Sequence, residues 1–189
     1  MKYGNVTMGQ VEAAINKLGG LSGWQALLDD KLEVRSKMLG TTRMEQSNLL
    51  TVSADISFAE RITLGRYDWC NSDLTEKRFP VTADQIGEFE WKLFHFGRDI
   101  SSDEAIRLKK AEGFEPGQIG HLLVFGEQYP EEQRKYPIVA LGSAAKVGLE
   151  RNVPGLWVDY AWRDLRLGWY GGVWYPCYRF LGVRRRSVA

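Results

Sequence analysis

The stretch from Trp157 to Tyr178 constrains this chain more than any other. It holds Trp157, Tyr160, Trp162, Trp169, Tyr170, Trp174, Tyr175 and Tyr178, four of the chain's seven Trp and four of its eight Tyr. Gly168, Gly171, Gly172 and Pro176 are interspersed, which argues against one long regular element and for an irregular, loop-rich region. A core does not need such a composition, because a buried Trp or Tyr must also satisfy its polar atom, and Leu, Ile and Val fill space without that demand. On loops, Trp, Tyr and Arg are the preferred material of binding hot spots, giving large rigid contact area at low entropic cost. Single exposed aromatics are unremarkable, but a dense cluster is not. The expectation is therefore mixed. Leu156, Leu165, Leu167, Phe180 and Leu181, with several of Trp169, Trp174 and Tyr178, form a framework, interleaved with outward-facing Tyr, Trp, Asp and Arg.

Upstream, the chain reads as alternating elements. Thr7 with Gln10 and Ser22 with Gln25 are capping-box pairs that open two short helices, separated by Gly19-Gly20. Residues 1–55 are thus expected to be a small N-terminal helical module and connector, with one strand at Leu49–Val52, and residues 56–189 a second domain. Glu88–Leu93 alternates polar and apolar residues as a half-buried strand does, extended less regularly through Phe94, His95 and Phe96. Ser101 with Glu104 caps a helix bearing Ala105, Leu108 and Ala111, closed by Gly113. Pro116 suits the first turn of a further helix carrying Ile119, Leu122, Leu123 and Gly126. Pro130–Lys135 reads as a solvated turn, Ile138–Leu141 as a buried strand, and Tyr178–Val183 as the closing strand.

Several function classes are disfavoured. Lys and Arg number 25 against 24 Asp and Glu, a net charge of +1, which does not suit a dedicated nucleic-acid binder. With 44% hydrophobic residues the chain can build a core, yet no run approaches the ~18 uninterrupted apolar residues of a membrane span. The start MKYGNVTMGQ has no apolar signal core, and two distant cysteines, Cys70 and Cys177, make no disulfide framework. The expected location is cytoplasmic.

The segments Phe94–Ser102, Gly113–Pro116, His121–Leu123, Tyr136–Ser143 and the ending Tyr178–Arg184 resemble the variable proteins of diversity-generating retroelements from uncultivated, small-genome bacteria. In such proteins error-prone reverse transcription at adenines mutagenises the C-terminal part. The resemblance covers about residues 85–189. It implies an α+β chain with a C-type-lectin-like domain of the formylglycine-generating-enzyme-like subclass and a variable region at about 153–183. By the same resemblance, the diversified, ligand-binding positions are Trp157, Val158, Asp159, Tyr160, Trp162, Asp164, Arg166, Gly168, Tyr170, Tyr175, Pro176 and Cys177. The implied ligand is a protein or other macromolecule.

Catalytic chemistry finds little footing. Formylglycine-generating enzymes use a cysteine pair, whereas Cys177 stands alone in the C-terminal region. His95 and His121 are too few for a His-rich metal site and read as packing or surface residues. Tyr129-Pro130-Glu131-Glu132-Gln133 lacks the clustered oxygen ligands of a calcium lectin. No phosphate-binding glycine loop, nucleophile elbow or zinc-finger spacing is present, and Arg184-Arg185-Arg186 reads as a solvated tail. No enzyme, cofactor or metal is expected. The second reading is a structural or oligomerisation protein with the aromatic cluster in its core.

Overall fold

Short apolar runs punctuated by turns build most of this molecule, and a nine-stranded sheet gathers most of them, with Ile100–Ser101 and Val173–Trp174 paired separately. A computed structural model describes residues 48–186 together with Ile15 and Gln25, which are both helical. The remainder of the two N-terminal helices read from sequence lies outside the described residues. The chain divides into two units, Met1–Met44 and Glu45–Ala189. The second contains β1 (Leu49–Val52), the strand expected within the connector, which joins the large sheet. Ser57 caps α1 (Phe58–Leu64) by accepting the Glu60 N–H. β2 (Trp69–Cys70) follows, and Gly87–Phe94 forms β3, whose alternation sends Phe89, Trp91 and Leu93 to one face and Phe94 to the other. β3 stops at Phe94, so His95 and Phe96 lie beyond it.

β4 (Ile100–Ser101) leads into α2 (Ser102–Ala111), capped by Ser101 Oγ accepting from the Glu104 N–H at 3.2 Å. β5 (Glu115–Pro116) precedes α3 (Ile119–Gln128). Pro116 therefore does not start a helix. It pairs with Gly182, and the next N–H, that of Gly117, goes to the Leu181 carbonyl, so the sheet claims the backbone before a helical turn can form. The Gln118 N–H instead donates to His121 Nδ1 at 3.1 Å at the start of α3. Pro130–Lys135 is a helix, α4, with its proline in the first turn, rather than a solvated turn. Then come β6 (Ile138–Val139), β7 (Ala145–Val147), β8 (Glu150–Asp159), β9 (Trp162–Trp169), β10 (Val173–Trp174) and β11 (Arg179–Arg185).

The result is an α+β fold around a mixed sheet in the order β1, β3, β11, β6, β8, β9, β2, with β5 beside β11 and β7 beside β8. β11–β6 and β9–β2 are parallel pairs; the others are antiparallel. The first and last strands of residues 85–189, β3 and β11, are neighbours, with Phe180 opposite Phe94. Both sheet faces carry a core. On one, α1 and α3 pack Phe58, Leu122, Leu123 and Phe125 against Leu50, Leu156, Leu165 and Leu181. On the other, α2 and β10 bring Ala105 and Trp174 to Phe94, Val153 and Phe180. The three C-terminal arginines are not a free tail: Arg184 pairs with Glu90, Arg185 reaches the Ile86 and Asp84 carbonyls, and Arg186 pairs with Glu88. No helix among the described residues is long and apolar enough to cross a membrane.

Candidate functional site

The first part of the region expected to be irregular is a regular hairpin, while residues 170–178 are turns around the two-residue β10. β8 and β9 pair from Asn152↔Trp169 to Asp159↔Trp162, and Tyr160-Ala161 make the turn. The glycines had suggested loops, but in Asn152–Trp169 they serve the strands: the rings of Trp157 and Trp174 lie over Gly155 and Gly168 where side chains would otherwise stand. Strand periodicity then decides what each residue faces. Leu156, opposite Leu165, points into the first core. Trp157, opposite Asp164, lies on the other face, and Trp69 joins the same row through the parallel pairing Trp69↔Asp164.

That face carries two adjoining grooves. The first, of about 690 Å³, is lined by Trp69, Asn71, Asp159, Tyr160, Trp162, Asp164, Arg166 and Leu167. The second, of about 440 Å³, shares Arg166 and Leu167 and continues over Trp157, Trp169, Val173 and Tyr175. At their junction Arg166 Nη2 lies 3.1 Å from Asp159 Oδ2, and Nε donates to Asp164 Oδ2 at 2.9 Å, with a second donation from Nη2. These carboxylates hold the Arg166 guanidinium above its ordinary pKa, the hydrogen bond it donates to Asp164 contributing most. Arg166 also stands 5.8 Å over the Trp69 ring.

The hairpin is braced from behind. Buried Arg163 donates to the Gly65 carbonyl at 2.8 Å and the Gly126 carbonyl at 2.6 Å, and its own N–H goes to Asp68 Oδ2 at 2.7 Å. Burial lowers the Arg163 pKa. On α4, Gln133 donates to the carbonyls of Trp157 (2.5 Å) and Asp164 (2.9 Å), joining both strands, and Arg134 holds the Ala161 carbonyl in the turn at 2.9 Å. A segment read as solvated is therefore the hairpin's support, and its role is invisible without the partner strands.

Of the expected display positions, Asp159, Tyr160, Trp162 and Arg166 line the first groove, and Trp157, Gly168 and Tyr175 the second. Others depart. Asp164 is only 3% exposed, because it lies mid-row between Trp69 and Trp157 under Arg166. Val158, opposite Arg163, faces away from both grooves. Tyr170 turns to α2, its hydroxyl donating to Asp103 Oδ1 at 2.5 Å and its carbonyl accepting from Ser102 Oγ at 2.6 Å. Pro176 and Cys177 are exposed beside the grooves; the Pro176 carbonyl bonds His95 Nε2 at 2.9 Å. Among framework positions, Trp174 is 4% exposed and donates from Nε1 to Ser102 Oγ at 2.9 Å, but Trp169 is 53% exposed and belongs to the second groove. Trp169 ends β9 next to the Gly171-Gly172 turn, where no element among the described residues covers it. The sequence reading missed Trp69 and Asn71. Ninety-odd residues separate them from the hairpin, and only the β2–β9 pairing unites them.

Both cysteines are free; burial raises the Cys70 thiol pKa, and Cys177 is exposed. Among the described residues no three His, Cys, Asp or Glu converge as metal ligands would. No protein-family model matches the chain, and no curated protein or solved structure matches it significantly.

Proposed function

We propose that the hairpin face of β8–β9 is a ligand-binding surface for a macromolecule, most simply a protein, and that the protein is not an enzyme. The observation that carries this is the exposure of one run of large aromatics: Trp69, Tyr160, Trp162, Trp169 and Tyr175 all stand at the two adjoining grooves. A contiguous exposed aromatic patch is uncommon on a monomer and marks interaction sites; Trp, Tyr and Arg are the residues that dominate binding energy. The patch sits on paired strands rather than on free loops, so its side chains are held in place before a partner arrives.

The same features suit a C-type-lectin-like domain of the formylglycine-generating-enzyme-like subclass, used as a variable protein of a diversity-generating retroelement. Two experiments test this reading. The first is a display screen of the full chain against a peptide library. Selected ligands should bind about tenfold or more weakly to the Tyr160→Ser/Trp162→Ser double variant, a loss of hot-spot size, with melting unchanged. Ligands indifferent to the double substitution would sink the binding surface. Light scattering in parallel tests self-association: a wild-type dimer that becomes monomeric in the double variant makes a second copy of this chain the occupant of this face. The second experiment is the sequence of the adjacent DNA. A near-duplicate of the segment coding 153–183, beside a reverse transcriptase gene, is expected; its absence removes the retroelement reading.

A further inference from the structure

We infer that the groove walled by Trp69, Tyr160 and Trp162 seats a basic side chain, Lys or Arg, of a protein partner; this rests on the hairpin face being a binding surface. Two carboxylates, Asp159 and Asp164, meet one guanidinium, Arg166, in this groove, so its lining carries one net negative charge. Arg166 does not satisfy them fully. Its donors reach Asp159 Oδ2 and Asp164 Oδ2, while Asp164 Oδ1 has no donor although its side chain is only 4% exposed. A buried carboxylate oxygen left without a donor is unfavourable, and an incoming N–H relieves that penalty. Asp164 lines this groove together with the exposed rings of Trp162 and Trp69.

The walls favour the same class of ligand. Aromatic faces attract cations through the ring quadrupole, and Arg166 over Trp69 shows one cation already in that arrangement. An anion would meet the field of two carboxylates. The size favours a side chain on a polypeptide over a free amine. At about 690 Å³ the groove is far larger than an ammonium head, and it accommodates an aliphatic stem with the residues flanking it.

The test titrates short oligo-arginine, oligo-lysine, oligo-citrulline and oligo-glutamate peptides into the full chain at fixed ionic strength, followed by tryptophan fluorescence and calorimetry. The arginine and lysine peptides should bind, and the citrulline peptide, which keeps the shape without the charge, about tenfold more weakly. Asp159→Asn, at an exposed position where folding is safe, should weaken binding about threefold, and Asp164→Asn about tenfold, with melting measured for both. Arg166→Gln should tighten binding, because it removes the internal competitor for both carboxylates. Citrulline binding as tightly as arginine, or weaker binding in Arg166→Gln, overturns the inference. If neutral or acidic peptides bind best and Trp162→Ser abolishes that binding, the basic partner is wrong while the binding surface stands. If no peptide responds to Trp162→Ser, both fall together.

Discussion

The two ends of one aromatic stretch meet different fates. At the C-terminal end, Trp174, Tyr178 and Phe180 close on one another, with Trp174 and Tyr178 rings 5.1 Å apart and Trp174 and Phe180 6.1 Å apart at near-right angles. They sit where α2 and the β10–β4 pair cover the sheet. At the hairpin end, Tyr160 and Trp162 occupy the same sheet's far corner, where, among the described residues, only the edge strand β2 follows. The residue types are alike. The difference is whether another element packs over them, so aromatic composition alone does not separate core from display.

The largest expected effect tests the covered end. Trp174→Ala or Phe180→Ala should cost about 3–5 kcal/mol in denaturant unfolding, as filled core aromatics do; a loss under about 1 kcal/mol would erase the distinction. A second test uses pH. Lys109 on α2 is fully buried, donates to the Leu181 carbonyl at 3.2 Å, and burial pushes its pKa down to about 7. The unfolded chain holds that proton up to about 10.4. Between these values the unfolded state binds more protons, so stability should rise with pH, by about 2 kcal/mol from pH 7 to pH 9, and fall as pH drops back through 7. Lys109→Met should flatten that slope; an unchanged slope would show that the lysine reaches water.

A third test falls on the boundary between the ends. A side chain at Gly168 would begin 2.7 Å from the Trp174 ring, so Gly168→Ala should cost about 1–3 kcal/mol through overpacking. Tolerance of Ala there would instead make Gly168 a free display position. The smallest effects belong to the open end: Trp162→Ala, Tyr175→Ala and Trp169→Ala should each cost under about 1 kcal/mol. Tyr160 holds φ +54, a left-handed conformation that disfavours bulky residues. Tyr160→Gly should therefore be neutral or stabilising by up to about 1 kcal/mol. A marked loss at any of these four positions would show that the groove-lining aromatics are packed after all.

Local signals in the sequence were sufficient wherever neighbours along the chain do the work. The Ser101–Glu104 cap, the alternation of Glu88–Leu93 and the helical spacing of Ile119, Leu122 and Leu123 all reappear, because capping and periodicity involve atoms a few residues apart. Pro116 and Pro130–Lys135 went the other way. Their hydrogen bonds run to Gly182, Leu181, Trp157, Ala161 and Asp164, partners that only folding supplies.

The sequence by itself determined that the region before Tyr178 is rich in contact-forming aromatics and that apolar framework residues interleave with polar and aromatic ones. Which environment is core, and which is open, was decided by tertiary structure. Asp164 is buried because the parallel β2–β9 pairing places Trp69 on one side of it and the antiparallel β8–β9 pairing places Trp157 on the other. Trp169 is exposed because the chain turns at Gly171-Gly172 and no other described element packs over it. Burial of a side chain depends on what lies above it in space, and a strand's own period specifies only the direction in which that side chain points.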